Sequence, residues 1–327
     1  MRPTLIALAA AAAVLALFVA SHYLTRFGVG ARAWPAVWGI RALRVIMVLA
    51  LVEVAAAALL LLLEDRFVYY PTRPAAEWDP RTVGAEACTF QTEDGLTLHA
   101  VWHPGMGTKA GPGPVVLFCH GNAGDVTNRA EILSQLAERG LAVLVFDYRG
   151  YGDSQGRPSE QGLYRDADAA WRYLVEQRGV GPGRIVVFGE SLGAAVALHT
   201  ALARPVAGLI MEGAFQSIPA MARRQAPFVP VWPLTHNRFD NLGSVGRLAV
   251  PLLMVHGERD DLVPISQGRA VFGAAPEPKE FHLVAGASHN DALMVGGPAY
   301  LSTVERFCRR CVSGSAGAGS PASLPSG

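Results

Sequence analysis

The chain carries almost no excess charge of either sign. Lys and Arg together number 28 and Asp and Glu 27 in 327 residues, a formal net charge of +1. Without a basic or acidic surplus it lacks the electrostatic footprint of a nucleic-acid binder and offers little to a polyanionic partner. Cysteine is scarce, with four residues. Cys88 and Cys119 stand in apolar strand-like runs, where buried thiols are expected. Cys308 and Cys311 form a lone C-x-x-C, and a metal or redox reading needs a second pair or a βαβ setting that the sequence does not supply. Phosphate-binding signatures are missing: there is no G-x-x-x-x-G-K-[ST] and no G-x-G-x-x-G. The glycine-rich stretch from Phe146 to Ser154 therefore reads as a structural turn. No internal repeat is visible.

What the chain has in quantity is apolar side chains, 51% of its residues, and a mean hydropathy of +0.26. The source is the N-terminus. Leu5 to Ala20 is almost purely aliphatic, and Val45 to Leu63 is broken only by Glu53. Each run approaches the ~20 residues that cross a bilayer as a helix. Two membrane helices are expected, at about 4–23 and 43–63, with Glu53 turned toward the other helix or a polar neighbour. Arg2 would also suit a cleaved signal peptide, but Phe18 at the −3 position makes a poor cleavage site after Ala20. Between the runs stand Arg26, Arg32, Arg41 and Arg44 and no acid. The positive-inside rule then favours an extracytoplasmic large domain over a cytoplasmic one, with Arg2, Arg66 and Arg73 pulling the other way. Trp34 and Trp38 suit interfacial anchors.

The expected organisation is a membrane anchor over 1–64, an interfacial linker over 65–86 containing Phe67-Val68-Tyr69-Tyr70-Pro71, a large α/β domain over 87–311, and a disordered tail over 312–327. Within the domain, strand-like runs at 87–92, 96–102, 115–119, 142–146, 185–188, 206–211, 251–255 and 280–284 alternate with helix-like runs at 127–139, 160–178, 192–203, 217–225, 265–274 and 298–310. Such alternation implies crossovers onto a mostly parallel sheet. Glu93-Asp94-Gly95 joins the first two strands as a hairpin, so the sheet starts antiparallel.

The chemistry-bearing motif is Gly189-Glu190-Ser191-Leu192-Gly193. It fits G-x-S-x-G between a strand-like and a helical run, where a serine hydroxyl is lifted clear of a sheet on a strained turn. The Leu192 amide, at a helix N-terminus, suits an oxyanion donor. A serine nucleophile needs a base, and the base an orienting acid. After the run ending at Val255 comes His256-Gly257-Glu258-Arg259-Asp260-Asp261. After the next comes Gly286-Ala287-Ser288-His289. Asp260 and His289 thus follow Ser191 in chain order, each at a strand end. Asp261 adjoins the acid, and Asp260 is preferred because it stands three residues before Val263-Pro264. His120 and His256, each followed by glycine at a strand end, are rival bases better suited to structural hydrogen bonds. The loop His120-Gly121-Asn122-Ala123-Gly124-Asp125 is placed to give a second oxyanion donor, the amide of Asn122, with Asp125 capping the turn that follows.

Taken together, the exit segment 67–71, the His120 to Gly124 loop, Asp147 to Gly152, the Gly189 to Gly193 elbow, Gly257 to Asp260 and Ser288 to Asp291 make the chain resemble the α/β-hydrolase superfamily, and within it the membrane-anchored single-domain serine hydrolases. The resemblance spans 67–310. It implies an eight-stranded sheet, a Ser191, Asp260 and His289 triad, and one anchor helix where two are suggested here.

The activity expected is acyl transfer to water with no cofactor or metal. The region between Gly213 and Val250 leaves room only for a small cap. Its Phe215, Phe228, Val229, Val231, Trp232 and Phe239 favour an ester or thioester of an acyl chain presented at a lipid bilayer. The alternatives are a serine peptidase of the same fold, which would need room for a substrate-excluding domain, and a catalytically silent scaffold.

Overall fold

Runs of β-branched and aliphatic residues bounded by Gly, Pro and Asp become a buried sheet. The computed structural model describes Val19, His22 and residues 34–72, 78–106, 113–229 and 231–317. β2 (Glu86–Gln91), β3 (Thr97–His103), β4 (Val115–Cys119), β6 (Ala142–Phe146), β7 (Ile185–Glu190), β8 (Gly208–Glu212), β9 (Leu252–Gly257) and β10 (Lys279–Val284) form one eight-stranded sheet. Its order is β10-β9-β8-β7-β4-β6-β3-β2. The pairs from β10 through β6 are parallel, and β6/β3 and β3/β2 are antiparallel. The antiparallel start is where Glu93-Asp94-Gly95 predicts it, with Gly95 at φ 82. β4, β6 and β9 are buried at every position, as strands covered on both faces must be.

Helices cross between the parallel strands. They are α3 (Ala130–Glu138), α4 (Glu160–Arg172, continued by a π turn to Gln177), α5 (Leu192–Ala203), α7 (Asn241–Val245) and α8 (Ile265–Ala274), and α9 (Ala292–Gly317) follows the last strand. α9 is bent at Gly297, φ 48, just before Pro298, a break that any proline inside a helix tends to impose. The helix also runs past the expected start of an irregular tail. Cys308 and Cys311 are buried in the sheet's core cluster and Val312 packs against it, so a buried face carries the helix past the start expected for the tail. Residues 318–327 lie outside the described residues.

The chain divides into two units, residues 1–68 with 218–238 and residues 69–217 with 239–327. The second holds the whole sheet. In the first, α1 (Trp34–Leu62) is followed by a short α2 (Glu64–Val68) and, later in the chain, by α6 (Ile218–Gln225). Ala42–Leu62 of α1 is long and apolar enough to cross a membrane, in agreement with the expected span at 43–63, and Glu53 on it is exposed. The expected span at 4–23 lies outside the described residues but for Val19 and His22, as do the side chains of Trp34 and Trp38. The start of α2 is tied to the segment that follows α6. The buried Glu64 carboxylate accepts from the main-chain N–H of His236 (3.0 Å) and Asn237 (2.8 Å), while Asp65 accepts from the Asn237 amide at 3.0 Å. Much of the region expected to form a cap thus groups with the apolar helix rather than with the sheet.

The linker is also more structured than an interfacial segment need be. After α2 the chain forms β1 (Tyr70–Pro71), which pairs in parallel with β5 (Ala123–Gly124) as a separate two-stranded sheet. A 3-10 turn over Pro80–Val83, capped by Asp79, leads into β2.

Candidate active site

Two glycines let strand β7 turn straight into helix α5. A Cβ on Gly189 would stand 2.2 Å from the Gly193 carbonyl oxygen, and one on Gly193 would stand 2.0 Å from that of Cys119. No side chain fits at either position, so helix and sheet meet at backbone distance. Between them Ser191 takes φ 53 and ψ −112, a left-handed conformation that costs a non-glycine residue on the order of 1–3 kcal/mol. Its N–H donates to the Glu212 carbonyl of β8 at 2.8 Å, and its own carbonyl accepts from Ala194 at 3.0 Å.

That backbone aims the hydroxyl at a histidine. Ser191 Oγ lies 2.9 Å from His289 Nε2, and His289 Nδ1 lies 2.6 Å from Asp260 Oδ2. The second carboxylate oxygen accepts from the Val263 N–H at 2.7 Å, so the turn into Val263-Pro264 holds the acid. Asp260 is buried and Asp261 is exposed, which separates two neighbours that the sequence leaves adjacent. With Nδ1–H donating to Asp260, Nε2 keeps the lone pair that can receive the serine proton. The histidine loop reaches its place across Gly257, where a Cβ would stand 2.4 Å from the Ser288 carbonyl.

Burial pulls the His289 imidazole below its ordinary value. The Asp260 hydrogen bond and charge, with Glu190 and Glu212 behind them, outweigh that pull and leave it raised. The rival histidines are engaged in main-chain contacts. Buried His256 donates from Nε2 to the Val263 carbonyl at 2.8 Å, and its Nδ1 side closes on Gly268. His120 bonds the Gly121 carbonyl through Nδ1 at 2.7 Å, and burial pushes it down to about 3. Burial lowers His256 as well.

The loop ending β4 is braced from several sides. Asp125 caps the 3-10 turn Val126–Arg129 in a reciprocal box with Asn128. The turn after β6 supplies further struts: Asp147 accepts from the Val126 N–H at 2.8 Å, and Tyr148 donates its hydroxyl to the His120 carbonyl at 2.9 Å. The stretch from Phe146 to Ser154 is therefore the structural turn expected of it. Leu192 opens α5, so its N–H is one of the helix donors without an intrahelical acceptor, and Asn122 stands in the braced loop.

Two acids at the site carry no sequence signal. Glu190 occupies a variable position of the elbow motif, and its carboxylate pairs with Arg129 at 3.0 Å. Glu212 lies beside it across the β7/β8 ladder and accepts the Tyr300 hydroxyl at 2.5 Å. Burial raises Glu212 to about 7, with Glu190 adding to the effect. Neither has a motif of its own; only the sheet register brings them together. The four cysteines are free thiols, and burial raises those of Cys308 and Cys311.

Residues 114–235 match the alpha/beta hydrolase fold family. A Mycobacterium tuberculosis protein, the uncharacterized Rv2307c, is 38% identical over 268 residues, 82% of this chain and 95% of the relative. The uncharacterized YfhR of Escherichia coli K12 is 30% identical over 235 residues, 69% of this chain and 80% of the relative. Among solved structures, the Pyrococcus furiosus esterase Pf2001 superposes with a TM-score of 0.62 at 20% identity, over 75% of this chain and 98% of that one. An esterase domain of a Rhodothermus marinus protein superposes at 0.53 with 26% identity, over 70% of this chain and 99% of that one. The chain belongs to the alpha/beta hydrolase family.

Proposed function

We propose that the chain is a membrane-anchored serine hydrolase that cleaves carboxylic esters or thioesters through an acyl-enzyme on Ser191. The observation that carries the reading is the line from Ser191 Oγ through His289 to Asp260, at 2.9 and 2.6 Å, built on a serine with φ 53. Esterase neighbours of the same fold agree with it, by what their names say of them.

The proposed steps use this geometry. Ser191 Oγ attacks the acyl carbonyl while His289 Nε2 takes its proton. The carbonyl oxygen becomes an oxyanion held by the amides of Leu192 and Asn122; losing one such donor typically costs ~3 kcal/mol of barrier. His289 returns the proton to the leaving alcohol or thiol, and the C–O or C–S bond breaks. Water, deprotonated by His289, attacks the acyl-serine, and the acid departs with Ser191 Oγ reprotonated. Asp260 keeps the imidazole tautomer and balances the imidazolium charge throughout.

An acyl-chain substrate at a bilayer is supported by Ala42–Leu62 and by the segment 218–238 grouped with that helix, whose Phe228 is 88% exposed. The test is turnover of p-nitrophenyl esters of increasing chain length by the detergent-solubilised full chain, with fluorophosphonate labelling alongside. Esters are expected to turn over, with longer chains preferred, and Ser191→Ala to lose both turnover and label. Labelling with no ester turnover at any length, or turnover of peptide amides instead, would overturn the esterase reading.

A further inference from the structure

The loop assigned as oxyanion donor is soft by composition. Gly121 and Gly124 flank the Asn122-Ala123 pair, and Gly124 adopts φ 82. A donor stabilises a developing charge only if it is fixed before the charge appears, so a glycine-flanked loop needs external struts.

One strut comes from the segment that leaves the apolar helix. β1 lies parallel to β5, with Tyr70 opposite Ala123 and Pro71 opposite Gly124. The Tyr70 N–H donates to the Asn122 carbonyl at 3.0 Å. The Tyr151 hydroxyl donates to the same oxygen at 3.0 Å, so two donors hold one carbonyl. A residue further on, the Thr72 carbonyl accepts from the Gly152 N–H at 2.9 Å, and the Thr72 hydroxyl donates to Asp125 at 3.3 Å. On the other side of Asn122, the Gly121 carbonyl is held by His120 Nδ1 at 2.7 Å. Both peptide planes that meet at Asn122 are thus clamped. His120 fixes the plane that contains the Asn122 N–H, and Tyr70 with Tyr151 fixes the next.

We propose that Tyr70, through its main-chain N–H, and Tyr151, through its hydroxyl, are positioning residues for the oxyanion hole. This rests on the reading of Ser191 as nucleophile and Asn122 as donor. Neither residue touches substrate; together they set the plane against which the Asn122 N–H is oriented. The oxyanion hole is then not complete within the loop after β4. The main chain of β1, at Tyr70, then helps to position it.

The test uses the full chain in detergent and three variants. Tyr151→Phe removes one donor and keeps the ring. Tyr70→Pro removes the N–H, and Tyr70→Ala keeps it. The readouts are kcat and KM for a p-nitrophenyl ester, and inhibition by an arylboronic acid, whose serine adduct places an oxyanion in the hole. Misplacing a catalytic group by 1 Å costs up to about 100-fold. By that measure Tyr151→Phe is expected to lose roughly 5-fold and Tyr70→Pro roughly 30-fold in kcat, with KM within twofold. Boronate affinity is expected to weaken by the same factors, and Tyr70→Ala to stay within threefold of the parent.

Unchanged kcat and boronate affinity in Tyr151→Phe and Tyr70→Pro would overturn the proposal. So would a kcat loss with boronate affinity intact, or a loss in Tyr70→Ala equal to that in Tyr70→Pro. If Tyr70→Pro fails to fold, Tyr151→Phe alone decides. Failure of the Ser191 reading appears instead in the parent protein, as no turnover and no fluorophosphonate label, and this proposal falls with it.

Discussion

The His289 imidazole lies between opposing pulls, and their balance has a measurable sign. Burial disfavours its charged form, while Asp260 at 2.6 Å and the two glutamates favour it, leaving the group raised from 6.5. In the proposed mechanism His289 must be neutral to accept the serine proton, so kcat/KM is expected to rise with pH through a midpoint above 6.5. Asp260→Asn is expected to move that midpoint down and to lower kcat by roughly 10⁴, since the wrong tautomer is then favoured. Glu212 is one of the charges that raises His289, so Glu212→Gln is expected to shift the acid limb to lower pH. A pH–rate profile of each variant checks both. At this scale the sequence is informative about order and silent about direction. Ser191, Asp260 and His289 could be read from their places after successive strand-like runs. Only the fold shows that Asp260 turns inward toward His289 while Asp261 faces solvent, and only strand register brings Glu190 beside Glu212.

At the scale of elements, the elbow works because β7, β4 and α5 approach at backbone distance. Gly193→Ala would drive a methyl to 2.0 Å from the Cys119 carbonyl, and backbone cannot yield as a side-chain tip can. A destabilisation of at least about 3 kcal/mol is expected, read as a fall in Tm of roughly 6 °C or more, together with loss of fluorophosphonate labelling. Strong apolar runs were the easily read elements: β4, β6, α5 and α8 have the boundaries that their sequences predict. β1 and β5 are different. A two-residue strand has no periodicity, and its partner lies 53 residues away, so nothing local marks it. α9 likewise begins earlier than the run expected at 298–310, because Gly297 and Pro298 hide the turn from Ala292 onward.

At the scale of the whole molecule, the apolar helix α1 is followed along the chain by α2 and β1 before the eight-stranded sheet begins. The apolar run over Val45 to Leu63 was legible because length and hydropathy alone define it. The division of the chain was not, because the segment 218–238 groups with the helix across a long stretch of sequence, as where Glu64 reaches 173 residues along the chain to Asn237. Glu64→Ala removes the acceptor for two main-chain N–H groups, and a cost of about 2–4 kcal/mol is expected, seen as early proteolytic cleavage within 218–238. The full chain is expected to remain in the membrane pellet through high salt and alkaline carbonate and to leave it only in detergent; release by salt would contradict the anchor.

The central claim is a covalent acyl group on Ser191, and rapid-quench kinetics with a p-nitrophenyl ester tests it most directly. The expected result is a burst of one equivalent of p-nitrophenol per active site. A peptide containing Ser191 is expected to carry the acyl mass after acid quench, with both absent in Ser191→Ala. Steady ester hydrolysis that survives Ser191→Ala, or an acyl group found on another residue, would contradict it.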